Sequence, residues 1–531
     1  MSRTRNLPGR LPLAGGAVAL LATLTHWFPN MNRLPYEDAV PTIAAMLAIA
    51  AAVTILLRPV ARSWAGAGLM SGIVAVYCLY LPAPVAALSA SALVQGLLLA
   101  AGAVLAVLVA RRVPRDAAVA AEINRKINLL LVSVAIGMSA AAAIQQVRAE
   151  ADRPDPHAAF APFAGQAEAD SPDVWHIVFD RYAGSETLRG VYGYDNEPFL
   201  DALRARGFVV GTGNHANYQR TAHSLASALN GDYLDTLADD VAQQNDWVPL
   251  YRAMTGNRAL RFFRAQGYET VFAGSWWNPT RRSALADRNV NYRALPELAR
   301  VVLDESAPGF VLRQAGLPFG DTRTDQCRRA PRKFAALREL AGEGGRKYVF
   351  AHFLVPHPPF VLNADGSCRS LAAASAASRR DNYVAQLQYA NREALRLIDA
   401  IRAGPRPAVI VIHADEGPWP APHVGDERYI GRDPVSVDWV ELDTARLREK
   451  MGILMAVRPA DARPLAVPAS PVNVYPAILR SYFGGSLPDR PDRYLVFEGD
   501  GALYRFRDVA GRLSGDGPAA RPESGPPAQL E

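Results

Sequence analysis

The stretch Ala408-Val-Ile-Val-Ile-His-Ala-Asp415-Glu416-Gly417 reads as a buried strand with two carboxylates delivered at its carboxyl end. Five other short apolar runs read the same way: Val174–Phe179, Phe208–Val210, Glu269–Ala273, Tyr348–Leu354 and Gly452–Val457. Between them lie longer stretches with helical spacing, at Glu197–Arg206, Ala222–Leu229, Leu260–Gln266, Asn382–Arg402 and Val472–Phe483. Short runs alternating with helices imply an α/β domain with a central, mostly parallel sheet flanked by helices. In open sheets of this kind, ligand-binding residues gather just beyond the carboxyl ends of the strands.

Polar residues at those ends are therefore the first suspects. Asp180 follows Val174–Phe179, Asp415 and Glu416 follow Ala408–His413, and His357 lies beyond Tyr348–Leu354 in His352-Phe-Leu-Val-Pro-His357-Pro-Pro. Each alone has a plain structural role, since an Asp after a strand commonly forms a turn or caps a helix. Together they are costly to bury without a cation, and a hard divalent ion with oxygen ligands would relieve that cost. A fourth element is Asn217-Tyr-Gln-Arg-Thr221-Ala-His-Ser224, which places a hydroxyl at the start of a helix. Helix N-termini stabilise negative charge, so a phosphate or sulfate would sit well there. Thr221 could equally be no more than the helix N-cap.

The 531-residue chain is uneven in composition. Up to residue 147 it consists of uncharged runs separated by short basic segments; a bilayer-spanning helix needs about 20 apolar residues. Leu11–Phe28, Ala39–Leu57 and Ile127–Val147 each approach that length, and Trp64–Ala110 supplies two more spans joined by a turn at Pro82-Ala83-Pro84. The reading is five transmembrane helices over 1–147, a linker over 148–171, a globular domain over 172–510 and a disordered tail over 511–531. With the N-terminus inside, Arg3, Arg5, Arg10, Arg58, Arg62, Arg111, Arg112, Arg115, Arg125 and Lys126 all fall on the cytoplasmic side, and only Arg33 lies outside. That bias predicts a cytoplasmic-membrane protein whose globular domain is extracytoplasmic.

The net charge of +6 comes largely from these flanking residues, and no basic stripe with interleaved aromatics follows, so nucleic acid is not an expected partner. Three cysteines are too few for a disulfide scaffold, although Cys327 and Cys368 could pair in an oxidising compartment.

The order of these elements resembles the alkaline phosphatase/sulfatase superfamily. Asp180 follows a strand, a hydroxyl opens a helix about 40 residues on, and a Pro-His-Pro loop precedes Ala-Asp415-Glu416-Gly. The topology is similar to membrane-bound lipoteichoic acid synthases and phosphoethanolamine transferases, which place five membrane helices before an extracytoplasmic catalytic domain. The resemblance implies Asp180, Thr221, Asp415 and Glu416 as metal ligands, Thr221 as nucleophile, and His357 as a substrate contact. Trp277, in Trp276-Trp277-Asn278, resembles the Trp of the synthases' Trp-Asn-Arg, with Pro279 in place of the Arg and Arg281 as its substitute.

Glu416 stands where that family usually has a histidine, with His413 and His423 as other possible substitutes. The all-oxygen set implies one divalent ion, with Mn²⁺, Mg²⁺ or Ca²⁺ favoured over Zn²⁺. Threonine cannot become the formylglycine of sulfatases, so the resemblance implies transfer of a phospho-alcohol group from a membrane phospholipid donor to an envelope glycan or lipid acceptor. Hydrolysis of a phosphate or sulfate ester, or an inactive scaffold in envelope assembly, are the other readings.

Overall fold

The computed structural model describes residues 7–241, 244–315, 317, 323–424, 427 and 437–513. The residues beyond 513, where the disordered tail is expected, lie outside that range.

Among the described residues, four helices are long and apolar enough to cross a membrane: Tyr36–Ala61, Trp64–Leu88, Ala92–Arg111 and Ala117–Asp152. Their outward side chains, among them Leu56, Leu93 and Leu129, are apolar and exposed, as a lipid-facing surface requires. The first expected span is a helix of only 14 residues, Ala14–Trp27. At ~1.5 Å per residue it is shorter than the ~30 Å hydrocarbon layer. It is buried among the others through Ala14, Ala17, Val18 and Leu21, so its small side chains serve helix packing.

The turn expected at Pro82-Ala83-Pro84 is displaced. These prolines open a short helix, Pro82–Leu88, because proline fits the first helical turn, and the non-helical break comes at Ser89–Ser91. The last long helix runs on to Asp152, past the residue-147 boundary. Phe160 and Phe163, within the stretch read as linker, are buried against the globular core.

The globular domain holds a seven-stranded sheet: β1 Asp173–Phe179, β2 Val209–Val210, β3 Glu269–Ala273, β4 Arg288–Val290, β5 Lys347–Phe353, β6 Ala408–His413 and β7 Met455–Arg458. The order is β2-β7-β6-β1-β5-β3-β4. Strands β4, β3, β5, β1 and β6 are parallel, and β7 pairs antiparallel with both β6 and β2. Strands β1, β5 and β6 are buried along their whole length, as expected for central strands covered on both faces. Alternation divides the core into two layers. Val349, Ala351 and Phe353 of β5 enter one, and Tyr348 and Phe350 enter the other.

The globular domain rests on the end of the helical bundle that carries Arg33, Glu37, Asp38 and Glu150. Arg153 pairs with Asp246 at 2.6 Å, and Arg252 pairs with Glu150 at 2.7 Å and Glu37 at 3.0 Å. Leu298 and Val302 pack into a cluster with Leu24, Trp27 and Ala142 of the bundle. Arg58 and Arg62 flank the opposite turn, between the helices Tyr36–Ala61 and Trp64–Tyr80.

Candidate metal centre

The three central strands bring three side chains together at their carboxyl ends. Asp180 directly follows β1, and its backbone N–H donates to the Phe353 carbonyl at 2.8 Å. Asp415 lies two residues beyond β6, and His352 is the penultimate residue of β5. One ligand atom from each lies within 4.8 Å of the others, and all three residues are buried. His352 Nε2 is 3.6 Å from Asp180 Oδ2.

The imidazole is fixed from behind. Its Nδ1 bonds the Thr280 hydroxyl at 3.0 Å, which in turn pairs with Ser275 at 2.7 Å, so Nε2 is turned towards the carboxylates. Burial, aided by the Lys333 charge, lowers the His352 pKa to about 4 against the pull of Asp415 and Glu416. The ring is therefore neutral, with a lone pair to offer. Burial, then the charges of Asp180 and Glu416, raise the Asp415 pKa, while a hydrogen bond from Thr221 opposes that rise. Asp415 Oδ2 and His352 Nε2 are both buried without a hydrogen-bond partner. Two close carboxylates, a neutral imidazole and these unsatisfied atoms fit a divalent cation. Nitrogen in the set fits Zn²⁺ as well as Mn²⁺, which revises the all-oxygen expectation.

Thr221 is the first residue of the helix Thr221–Asn230, and the cap position belongs to the extended Arg220. The hydroxyl is thus free of capping duty, and it lies near enough to Asp415 to lower that residue's pKa. Arg181, between β1 and the rest of the chain, has φ of +60°, a strained backbone for a side-chain-bearing residue. This turn lets its N–H donate to Asp415 Oδ1 at 3.3 Å.

Glu416 sits beside the cluster. Its Oε1 takes Lys450 Nζ at 2.6 Å and Arg181 Nε at 3.1 Å. The other proposed histidine substitutes are also elsewhere: His413 Nε2 meets His176 Nε2 at 2.6 Å while its Nδ1 bonds the Ala414 carbonyl, and His423 lies in the partly exposed turn Ala421–His423. His357 is partly exposed, and burial, Arg181 and Lys450 hold its pKa well below the usual value. The Trp277 ring lies 6.4 Å from that of His352. Arg281 is turned towards the bundle, where it and Asn278 each bond Asp38 at 2.5 Å. The Asp180–His352–Asp415 cluster therefore lies one loop away from the helical bundle.

His352 is the residue that sequence reasoning passed over. Its signal was period-two alternation: it pairs with Val178, and Asp180 lies two residues further on the same face of β1.

No family model and no curated protein sequence matches this chain. Among solved structures, it is similar to the C-terminal periplasmic domain of EcEptC from Escherichia coli in complex with Zn, at 12% identity and a TM-score of 0.43, covering 66% of this chain and 95% of that one. It is also similar to the integral membrane lipooligosaccharide phosphoethanolamine transferase A from Neisseria meningitidis, at 13% identity and a TM-score of 0.33, covering 70% and 63%. A third is a protein of the alkaline phosphatase superfamily from Vibrio parahaemolyticus, at 12% identity and a TM-score of 0.37, covering 64% and 76%.

Proposed function

We propose that this chain is a membrane-anchored, metal-dependent phosphotransferase that moves a phospho-alcohol group from a membrane phospholipid to an envelope glycan or lipid through Thr221. The observation that carries this reading is the Asp180–His352–Asp415 cluster at the carboxyl ends of the central strands, with the Thr221 hydroxyl near enough to draw down the Asp415 pKa.

Asp180, His352 and Asp415 would hold one divalent ion, with Thr221 completing the set. When bound, such an ion lowers the pKa of a nearby hydroxyl and offsets charge on phosphoryl oxygens. Thr221 Oγ attacks the phosphorus of the donor phosphodiester, the P–O bond to the lipid breaks, and the threonine proton ends on the departing lipid alcohol. The acceptor hydroxyl then attacks the phosphorus of the threonine-linked diester, the P–Oγ bond breaks, and the acceptor's proton ends on Thr221 Oγ. The N-terminus of the helix Thr221–Asn230 favours the negative charge that gathers there. Trp277 and His357 border the approach to the cluster and are the proposed substrate contacts, whereas Arg281 acts through Asp38 to hold the Trp277 loop against the bundle.

The topology belongs to the same proposal. The helix Ala14–Trp27, lengthened by the turns Leu7–Arg10 and Phe28–Asn30 at its two ends, joins the four long helices as a fifth crossing, and the basic ends lie in the cytoplasm. Domain boundaries follow as a membrane domain to about residue 147 and a catalytic domain over 172–510. The Cys327–Cys368 disulfide supports an oxidising compartment for that domain. Thr221→Ala is expected to abolish head-group transfer in reconstituted membranes while leaving the fold intact. Transfer at the wild-type rate would overturn the role given to Thr221.

A further inference from the structure

Beside the metal cluster, three cations surround one indole. The Arg220 guanidinium is 4.6 Å from the Trp419 ring centre, Lys450 Nζ is 5.0 Å away, and Arg181 is 5.5 Å away. Trp419 is only 2% exposed, and Lys450 is fully buried. Glu416 bonds two of these cations, Lys450 and Arg181. The nearest acid to Arg220 is Asp500 at 3.7 Å, which is half exposed and also pairs with Arg33. Arg220 Nε is buried and has no hydrogen-bond partner.

Like charges packed this closely repel, and cation–π contact with Trp419 offsets only part of that cost. The arrangement is best explained by an anion that completes it. A phosphate or phosphodiester oxygen would supply both the negative charge and the acceptor that the buried Arg220 Nε lacks.

Position agrees with charge. Arg220 immediately precedes Thr221 and is partly exposed, and Arg181 immediately follows Asp180 and is buried, as Lys450 is. We infer that Arg181 and Arg220, braced on Trp419 and backed by the buried Lys450, form an anion site for the non-bridging oxygens of the phosphodiester presented to Thr221. Glu416 is then a positioning residue, whose task is to hold Lys450 and Arg181 in place. This inference rests on the proposed phosphoryl chemistry and adds to it the residues that recognise the phosphoryl group.

The test uses the full-length chain in nanodiscs, loaded with Mn²⁺, with inorganic phosphate as the probe. Arg220→Gln is expected to weaken phosphate binding at least about tenfold, the scale of a lost charge-assisted hydrogen bond, with Mn²⁺ content unchanged. Arg220→Lys, which keeps the charge and loses the fork, is expected to fall between Arg220→Gln and wild type. Quenching of Trp419 fluorescence by phosphate, read as the difference from Trp419→Phe, provides a second signal.

Wild-type phosphate affinity in folded Arg220→Gln, or no phosphate binding by the Mn²⁺-loaded wild-type chain, would overturn the anion site. Thr221→Ala separates the two ideas. Unchanged transfer by that variant removes the threonine intermediate, whereas its phosphate binding tests only the Arg220 and Arg181 site.

Discussion

Removing Glu416 separates its role as a cation anchor from the ligand role that sequence order assigns to it. Its carboxylate is 1% exposed and lies 2.6 Å from Lys450 and 3.1 Å from Arg181. Truncation to alanine leaves the fully buried Lys450 ammonium with no carboxylate at bonding distance, and orphaning a buried charge costs about 3–5 kcal/mol. For a domain of this size that corresponds to a fall of roughly 5–15 °C in the melting temperature. Adding Lys450→Met removes the orphaned charge while keeping the side-chain volume, so the double variant should regain at least about 1 kcal/mol. Thermal melts of the four proteins in the double-mutant cycle supply the energies, and elemental analysis supplies the metal content. The expected result is a destabilised Glu416→Ala with wild-type metal stoichiometry and a partly rescued double variant. Loss of the ion with an unchanged melting temperature would refute the reasoning and make Glu416 a ligand.

Asp180→Asn, His352→Ala and Asp415→Asn should each lower the bound divalent ion well below one per chain, measured by elemental analysis after dialysis. Retention of the ion in His352→Ala would exclude the imidazole from the set. Acid should destabilise the metal-free chain, because burial depresses the pKa values of His176, His223, His352 and His413. These residues are neutral when folded but take protons when unfolded, so their contribution is complete above about pH 6.5. It is lost as pH falls towards about 4, by up to about 1.4 kcal/mol per pH unit for each histidine; a melting temperature constant from pH 6.5 to 4.5 would contradict this. Replacing both Cys327 and Cys368 with serine, which opens a 41-residue separation, should cost about 2–4 kcal/mol in a denaturant titration, and an unaltered midpoint would show the bond to be idle.

The parts of the fold set by local pattern were readable before any coordinates. Ala408–His413 and Glu269–Ala273 form strands with the expected bounds, because apolar β-branched runs between turn signals have few other uses. The edge strand Arg288–Val290 escaped notice, since three half-exposed residues carry no alternation to detect. The membrane helices were readable from apolar length, but the break at Ser89–Ser91 was not, because Pro82 and Pro84 start a helix as readily as they end one.

At the site, Asp180 and Asp415 were legible from their places after strands. His352 was hidden because it lies inside an apolar strand, where a histidine reads as core until pairing with Val178 places it beside Asp180. Glu416 has two sides: Oε1 is held by cations, and Oε2 is buried without a hydrogen-bond partner. Its sequence neighbour Asp415 is in the cluster, but successive residues point in different directions, and Glu416 turns to cations contributed by residues 181 and 450. Cys327 lies on the helix Arg323–Ala341, whose arginines disguise its buried face.

The most direct test is mass spectrometry of the full-length chain incubated with donor phospholipid and Mn²⁺ but no acceptor. The account predicts a phospho-alcohol adduct on the peptide carrying Thr221, absent after chelation and discharged when acceptor is added. Head-group transfer with Thr221 unmodified throughout, or an adduct on another residue that turns over at the reaction rate, would contradict it.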